Sequence, residues 1–141
     1  DLLEKCYIVF KLSALSRNLR TELKKGKKIF FYDNGIRNSI IQNFSPLQLR
    51  DDVGALWENF VISERLKYNH YNQRYCNTYF WRTTEQQEVD YIEERDGSFS
   101  LFEMKWNPKK AKVLVPSSFK SAYGDCEYTV ITPENYWQHL V

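Results

Sequence analysis

Two short stretches carry residues that can do chemistry together, Glu88-Val89-Asp90 and Glu103-Met104-Lys105. An acid sits on one predicted strand and an acid-x-lysine on the next, thirteen residues on. Side chains two apart on a strand point to the same face, roughly 7 Å apart along the chain. Glu103 and Lys105 therefore project together and Met104 projects away. If the two stretches pair as a hairpin, Asp90 joins them. Two carboxylates beside a lysine can hold a hard divalent cation and leave an ammonium next to a reacting water, which suits phosphodiester hydrolysis. The plainer alternative is that Glu103 and Lys105 form a strand-end ion pair of small energetic value.

The elements that must position these groups follow from periodicity. Lys5–Leu12 and Lys28–Tyr32 are rich in β-branched and aromatic residues and read as strands joined through a basic excursion. Asp33-Asn34-Gly35 is a turn, after which Ile36, Ile40, Ile41 and Phe44 follow helical spacing. A longer helix is predicted over Asp52–Tyr68, capped by Asp51 or Asp52, with Val53, Leu56, Trp57, Phe60 and Val61 as its apolar stripe. Glu58 lies about 60° beyond Val61 at ~100° per residue, which places it at the border of the buried face and at the rim of any cleft there. The alternative for Glu58 is an ordinary exposed helix residue.

Strands follow at Tyr75–Arg82, Glu88–Glu93 and Phe99–Lys105. On the second, Val89 and Tyr91 are expected opposite Asp90 and Ile92. A helix over Ser117–Tyr123 with Gly124 at its C-terminal cap, a strand over Cys126–Thr132 and a short helical tail complete the chain. The fold class predicted is α/β, an α/β/α sandwich around a mixed sheet, plus an N-terminal β-hairpin and short helix. The division expected is a linking region over residues 1–45 and a main domain over residues 46–141.

The chain has 141 residues with 43% hydrophobic and 16% aromatic content, enough for one real core. No apolar run approaches the ~20 residues that span a bilayer, and no signal peptide is visible, so no membrane role is expected. Cys6, Cys76 and Cys126 are too few and too scattered for a disulfide framework or a zinc site. They are expected to be reduced, small, buried residues of a cytoplasmic protein.

The net charge of +2 is unevenly spread. Residues 1–50 hold ten Lys/Arg against four Asp/Glu, for +6, and residues 51–141 hold ten against fourteen, for −4. The excess gathers in Arg17, Arg20, Lys24, Lys25, Lys27 and Lys28, opposed there only by Glu22. Such a run can meet phosphates, or simply solvate a loop. Lys109, Lys110 and Lys112 carry the same two readings. Trp81 and Trp106 flank the proposed site, where they can stack on a base or pack. His70 and His139 lack any ligand pattern, and Ser117-Ser118 has no partner His.

The order helix, three strands, helix, strand, with these acids in place, resembles the PD-(D/E)XK nuclease superfamily of the restriction-endonuclease-like fold. A closer resemblance is to the C-terminal domain of unknown function 4143 of bacterial and archaeal AAA-type ATP-binding proteins. It rests on Lys28-Ile-Phe-Phe-Tyr-Asp-Asn-Gly35, Gly54-Ala-Leu-Trp-Glu-Asn-Phe-Val61, Tyr79-Phe-Trp-Arg82, Glu88-Val-Asp-Tyr91 and Phe102-Glu-Met-Lys105. The superfamily's Pro-Asp is Val89-Asp90 here, which keeps the acid.

The resemblance implies that Asp90 and Glu103 bind Mg²⁺ or Mn²⁺ with the Met104 carbonyl. It also implies that Lys105 orients water, that Glu58 supports the metal or Lys105, and that Arg82 meets a phosphate. Nucleic acid, with DNA favoured, is the implied partner. The family's proteins carry an N-terminal P-loop ATPase, so the resemblance implies an ATPase domain in the full-length protein; the chain itself holds no Gly-x-x-x-x-Gly-Lys-Ser/Thr sequence. The first 45 residues would then end a linking region that can include a winged-helix hairpin. The alternative function is a catalytically silent module that docks the ATPase on nucleic acid or protein.

Overall fold

The computed structural model describes residues 2–17, 20, 22, 26–111 and 114–141. Among these residues six strands form one mixed sheet in the order β2-β1-β3-β4-β5-β6. They are β1 (Val9–Ala14), β2 (Lys27–Phe31), β3 (Asn77–Arg82), β4 (Glu88–Arg95), β5 (Ser98–Met104) and β6 (Glu127–Ile131). The β1–β2, β3–β4 and β4–β5 pairs are antiparallel, whereas β1–β3 and β5–β6 are parallel. The expected N-terminal hairpin forms and joins the sheet through β1.

Among the described residues five α-helices accompany the sheet: α1 (Leu2–Lys5), α2 (Asn34–Ile40), α3 (Val53–Tyr71), α4 (Ser117–Tyr123) and α5 (Trp137–Leu140). The α3 face of the sheet packs Trp57, Val61 and Ile62 against Leu12, Phe80, Tyr91, Phe102 and Ile131. On the other face Phe119 of α4 packs against Trp81, Val89, Phe99 and Leu101. The molecule is thus α/β, with helices on both faces of a mixed sheet.

Several expectations are corrected. The first strand begins at Val9, because Leu2–Lys5 coils into a helical turn and Tyr7 takes a left-handed φ of 54° before the chain extends. Cys6 is exposed and not buried, while Cys76 and Cys126 are half-buried; all three are free thiols. Despite its helical spacing, α2 buries none of its residues. It begins on Asp33, whose carboxylate accepts from the Gly35 and Ile36 amides.

Asp52 stands at the N-cap of α3 without capping it. Its two oxygens instead accept from Arg50 Nε and Nη2 and from Arg37 Nη1, each at 2.8 Å. Two guanidinium groups outcompete a backbone amide for the carboxylate, because both partners are then ionised and the Arg50 fork meets both oxygens. The Arg50 and Arg37 bonds hold the Asp52 carboxyl well below the usual carboxylate range. A carboxyl depressed in the folded state stabilises it at neutral pH and loses that contribution as pH falls below the ordinary Asp range. Asp52→Asn is therefore expected to lower the urea midpoint at pH 7, with the difference from wild type closing as pH falls toward 2. A constant difference across that range would detach the effect from ionisation.

Candidate active site at the end of strands β4 and β5

Two irregularities of the sheet aim Asp90. Tyr79 pairs with Ile92 and Trp81 with Val89, so β4 carries one more residue than β3 between these pairs. This β-bulge overturns the expected alternation. Val89 and Ile92 both face α4, and Tyr91 faces α3. A bulge bends its strand and redirects the extra side chain. In addition, the β4–β5 ladder stops at Tyr91–Phe102. Beyond it, Asp90 Oδ2 accepts the Met104 amide at 3.0 Å, in place of a backbone carbonyl. The carboxylate thus closes the gap where the strands part.

Met104 ends β5 with its side chain in the α3-facing core. The following residue, Lys105, donates its amide to Ile131 O at 3.0 Å. Its Nζ lies 2.5 Å from Glu103 Oε1, so the strand-end ion pair forms. Glu58 reaches the same place from α3. It is half-buried as its helical angle required, and it lines a cleft of about 380 Å³ with Asp90, Lys105, Trp106, Asn107 and Lys110.

Glu103 does not line that cleft, yet its charge is felt by Asp90's surroundings. Burial and then the nearby Asp90 carboxylate push the Glu103 carboxyl up, against the pull of Lys105. Burial likewise raises Asp90, against the Met104 amide and the charges of Lys28 and Lys105. Glu58 is raised by burial, with Lys28 opposing. Tyr128 on β6, half-buried beside both Glu103 and Asp90, is pushed up to about 12 by burial and then by those two charges. Carboxyls held above their ordinary range by burial and by each other are groups short of positive charge.

Part of that charge comes from a residue assigned elsewhere by the sequence. Lys28, expected in the basic run, lies on β2 with Nζ 2.7 Å from Glu88 Oε1 and 3.0 Å from Glu58 Oε1. Burial opposes its charge, but the Glu58 and Glu88 carboxylates outweigh that and raise its pKa. Glu88, part of the strand motif in the sequence, is thereby a partner of Lys28. The residue that brings Lys28 there is Asn59 of α3. Its amide accepts from Phe31 N at 2.8 Å and donates to Phe31 O at 2.9 Å, so it serves the edge strand β2 as a substitute neighbour. Nothing in the periodicity of α3 marks this role, because Asn59 carries no apolar signal. Its buried place on α3 is the only hint.

The other described residues of the basic run disperse. Arg17 forks onto Glu94 at 2.6 and 2.8 Å and meets Tyr79 Oη at 3.1 Å. Arg20 and Lys27 are exposed, and Lys24 and Lys25 lie outside the described residues, as does Lys112. Glu22 is no solvated counter-charge. It is 3% exposed and accepts from Trp81 Nε1 and the Arg17 amide, both at 2.9 Å, and from Tyr123 Oη. Arg82 is exposed, 3.8 Å from Glu88. Trp81 is fully buried and packs, whereas Trp106 is 41% exposed at the cleft.

Among the described residues no three His, Cys, Asp or Glu side chains are gathered into a ready-made metal cluster. The donor chemistry still suits a hard cation. Mg²⁺ commonly takes only one or two protein carboxylates and keeps water or substrate oxygens for the rest. No helix among the described residues is long and apolar enough to cross a membrane.

Residues 53–137 match the family described as Domain of unknown function (DUF4143). Residues 1–47 match a second one, Domain of unknown function (DUF8612). The chain is 26% identical over 129 residues to "Uncharacterized protein Rv2008c" of Mycobacterium tuberculosis and to "Uncharacterized protein Mb2031c" of Mycobacterium bovis. In each case 90% of this chain is covered, but only 28% of the relative's length. No solved structure matches the chain. The matched span takes in α3, the five elements after it and every cleft carboxylate, and the chain belongs to the DUF4143 family.

Proposed function

We propose that this domain is a divalent-metal-dependent nucleic-acid phosphodiesterase of the restriction-endonuclease-like, PD-(D/E)XK type, acting on DNA as the C-terminal part of a cytoplasmic AAA-type ATPase. The observation that carries the reading is Asp90, aimed by the bulge into one cleft with Glu58 and Lys105, with Glu103 paired to Lys105 and close enough to feel the Asp90 charge. The relatives' much greater length leaves room for an ATPase part. Unpaired cysteines accord with a reducing compartment.

In this reading Asp90 and Glu103, with the Met104 carbonyl, hold Mg²⁺ or Mn²⁺. When bound, the ion supplies Lewis acidity and lowers the pKa of water. Lys105 positions the attacking water and, as a cation, steadies charge that grows on the phosphorane. Glu58, which lines the same cleft, supports the ion through water or holds the Lys105 ammonium. Asp90 performs two tasks with two oxygens: Oδ2 stays on the Met104 amide and Oδ1 is left for the ion. The direct test is Mn²⁺ titration calorimetry combined with a plasmid and single-stranded DNA cleavage assay.

A second reading is a silent docking module for nucleic acid or protein. It is favoured by the internal pairing of Lys28 with Glu58 and Glu88, which compensates two carboxylates without a metal. In either reading the N-terminal excursion meets nucleic acid or an acidic partner. Affinity should fall steeply with salt through counterion release. Replacing Arg20, Lys24, Lys25 and Lys27 by Gln should weaken DNA binding and lower the slope of log affinity against log salt by up to about 4. Lys28 and Arg17 are excluded from that set, because their substitution would strip Glu58, Glu88 and Glu94 of their partners. An unchanged salt slope would remove this excursion from the interface.

A further inference from the structure

A second cleft, of about 300 Å³, shares the Trp106 wall with the carboxylate cleft. Its other side is aromatic. Trp57 meets Trp106 edge-on at 5.6 Å between ring centres and lies 5.7 Å from Phe60. Leu56 and Val53 of α3 and Asn34 of α2 also line it. Asn34 Nδ2 donates to Leu56 O at 3.0 Å, which fixes the amide. Its Oδ1 is buried and has no hydrogen-bond partner among the described residues. A buried acceptor left unpaired costs free energy that a bound donor would recover.

The cleft therefore offers flat aromatic walls, an apolar lining and one fixed acceptor in want of an N–H. A nucleobase has a π-face for the rings and an N–H on its edge for Asn34 Oδ1. Bases inside a duplex keep their π-faces stacked on one another and cannot offer one to such a cleft. The neighbouring cleft, one wall away, holds Lys105 and Lys110, cations suited to the phosphate of the same nucleotide.

We infer that the Trp57–Trp106 cleft is a base-binding subsite that takes an unstacked base of single-stranded nucleic acid, next to the phosphodiester held in the carboxylate cleft. This rests on the proposed phosphodiesterase reading for what lies next door, but the base pocket itself needs no metal. It makes single strands, or unpaired stretches of duplex, the preferred substrate class.

The test uses a short oligodeoxyadenylate with one 2-aminopurine, titrated in EDTA so that no cleavage intervenes. Binding should quench 2-aminopurine as it stacks. Trp106→Ala should lower affinity by about ten- to a hundredfold. Trp106→Phe should recover most of it, which a general loss of folding would not allow. Asn34→Leu, which removes the acceptor, should weaken binding of the base-bearing strand but not of an otherwise identical strand with an abasic site at the probed position. Duplex of the same sequence should bind equally to wild type and Trp106→Ala.

Equal affinity of Trp106→Ala for the single strand, or equal binding of base-bearing and abasic strands by wild type, would overturn the subsite. Mn²⁺ calorimetry on Trp106→Ala separates the two ideas. Retained metal binding with lost stacking supports the subsite. Stacking in a wild-type protein that binds no metal keeps the subsite and removes the phosphodiesterase.

Discussion

Asp90→Asn should abolish Mn²⁺ binding while leaving the fold intact, and any Mn²⁺-dependent cleavage of plasmid or single-stranded DNA should fall by at least about a hundredfold. The substitution is close to isosteric, and an amide oxygen can still accept the Met104 N–H, so the closure between β4 and β5 survives. What is lost is the negative charge. Lys105→Ala should remove cleavage with metal binding retained, because Lys105 acts on water and not as a ligand.

The metal-free protein gives an independent check. Burial raises the folded pKa of Asp90 above its unfolded value, so the native state holds its proton more tightly. Stability contributed by that difference is present below the unfolded pKa and is lost as pH rises through the folded one. Asp90→Asn should thus unfold at an equal or higher temperature than wild type at pH 7 to 8, with the gain vanishing toward pH 3. Glu103 moves in the same direction and adds to the effect in wild type. Metal must displace these protons, so Mn²⁺ affinity should rise with pH across the same window. Wild type that binds no divalent ion, or an Asp90→Asn variant that binds it unchanged, would end the two-carboxylate site. Metal binding without cleavage would favour the docking module.

The largest effect on stability is expected away from the cleft. Glu93 of β4 and Arg65 of α3 form a buried, two-pronged pair at 2.7 and 3.0 Å, each side chain 7% exposed. Asn69 Nδ2 donates to Glu93 Oε1 at 2.6 Å, and Arg65 Nη1 donates to His139 O at 2.6 Å. The guanidinium also lies 4.8 Å from the Phe102 ring centre and 5.0 Å from that of Tyr68. This one pair ties α3 and the chain end at α5 to the middle of the sheet.

Glu93→Ala strands a buried guanidinium and should cost about 3–5 kcal/mol. For a domain of this size that lowers the melting temperature by roughly 10 °C or more. The double variant Arg65→Met, Glu93→Leu removes both charges and should recover more than half of the loss, since the pair's attraction mostly offsets its own desolvation. Scanning calorimetry on the three proteins decides it. A double variant as unstable as Glu93→Ala would mean that the bonds to Asn69 and His139 carry the stability instead.

Much of this molecule is legible in the residues. Alternation and turn chemistry place the strands and α4, Gly124 closes α4 at a φ of +85°, and the 100° rule puts Glu58 at a rim. Periodic burial is a local signal, and the chain states it wherever one face of an element is apolar. The pairing of Glu103 with Lys105 is equally local, two residues apart on one strand.

What the tertiary structure alone decides is non-local. The bulge in β4 depends on its register with β3, and it inverts the facing of Tyr91 that strict alternation gives. Asp52 fails as a cap because two arginines reach it first. Glu22, Lys28 and Arg65 look like surface charges in the chain, and each is buried or half-buried against a partner at least 28 residues away. A charge's environment is set by where its partner lies in space, and long charged side chains carry no periodic mark of that place. The sequence names the acids and the lysine of the cleft, but the parting of β4 from β5, the edge grip of Asn59 and the Lys28 bridge that give them one electrostatic field exist only in the assembled sheet.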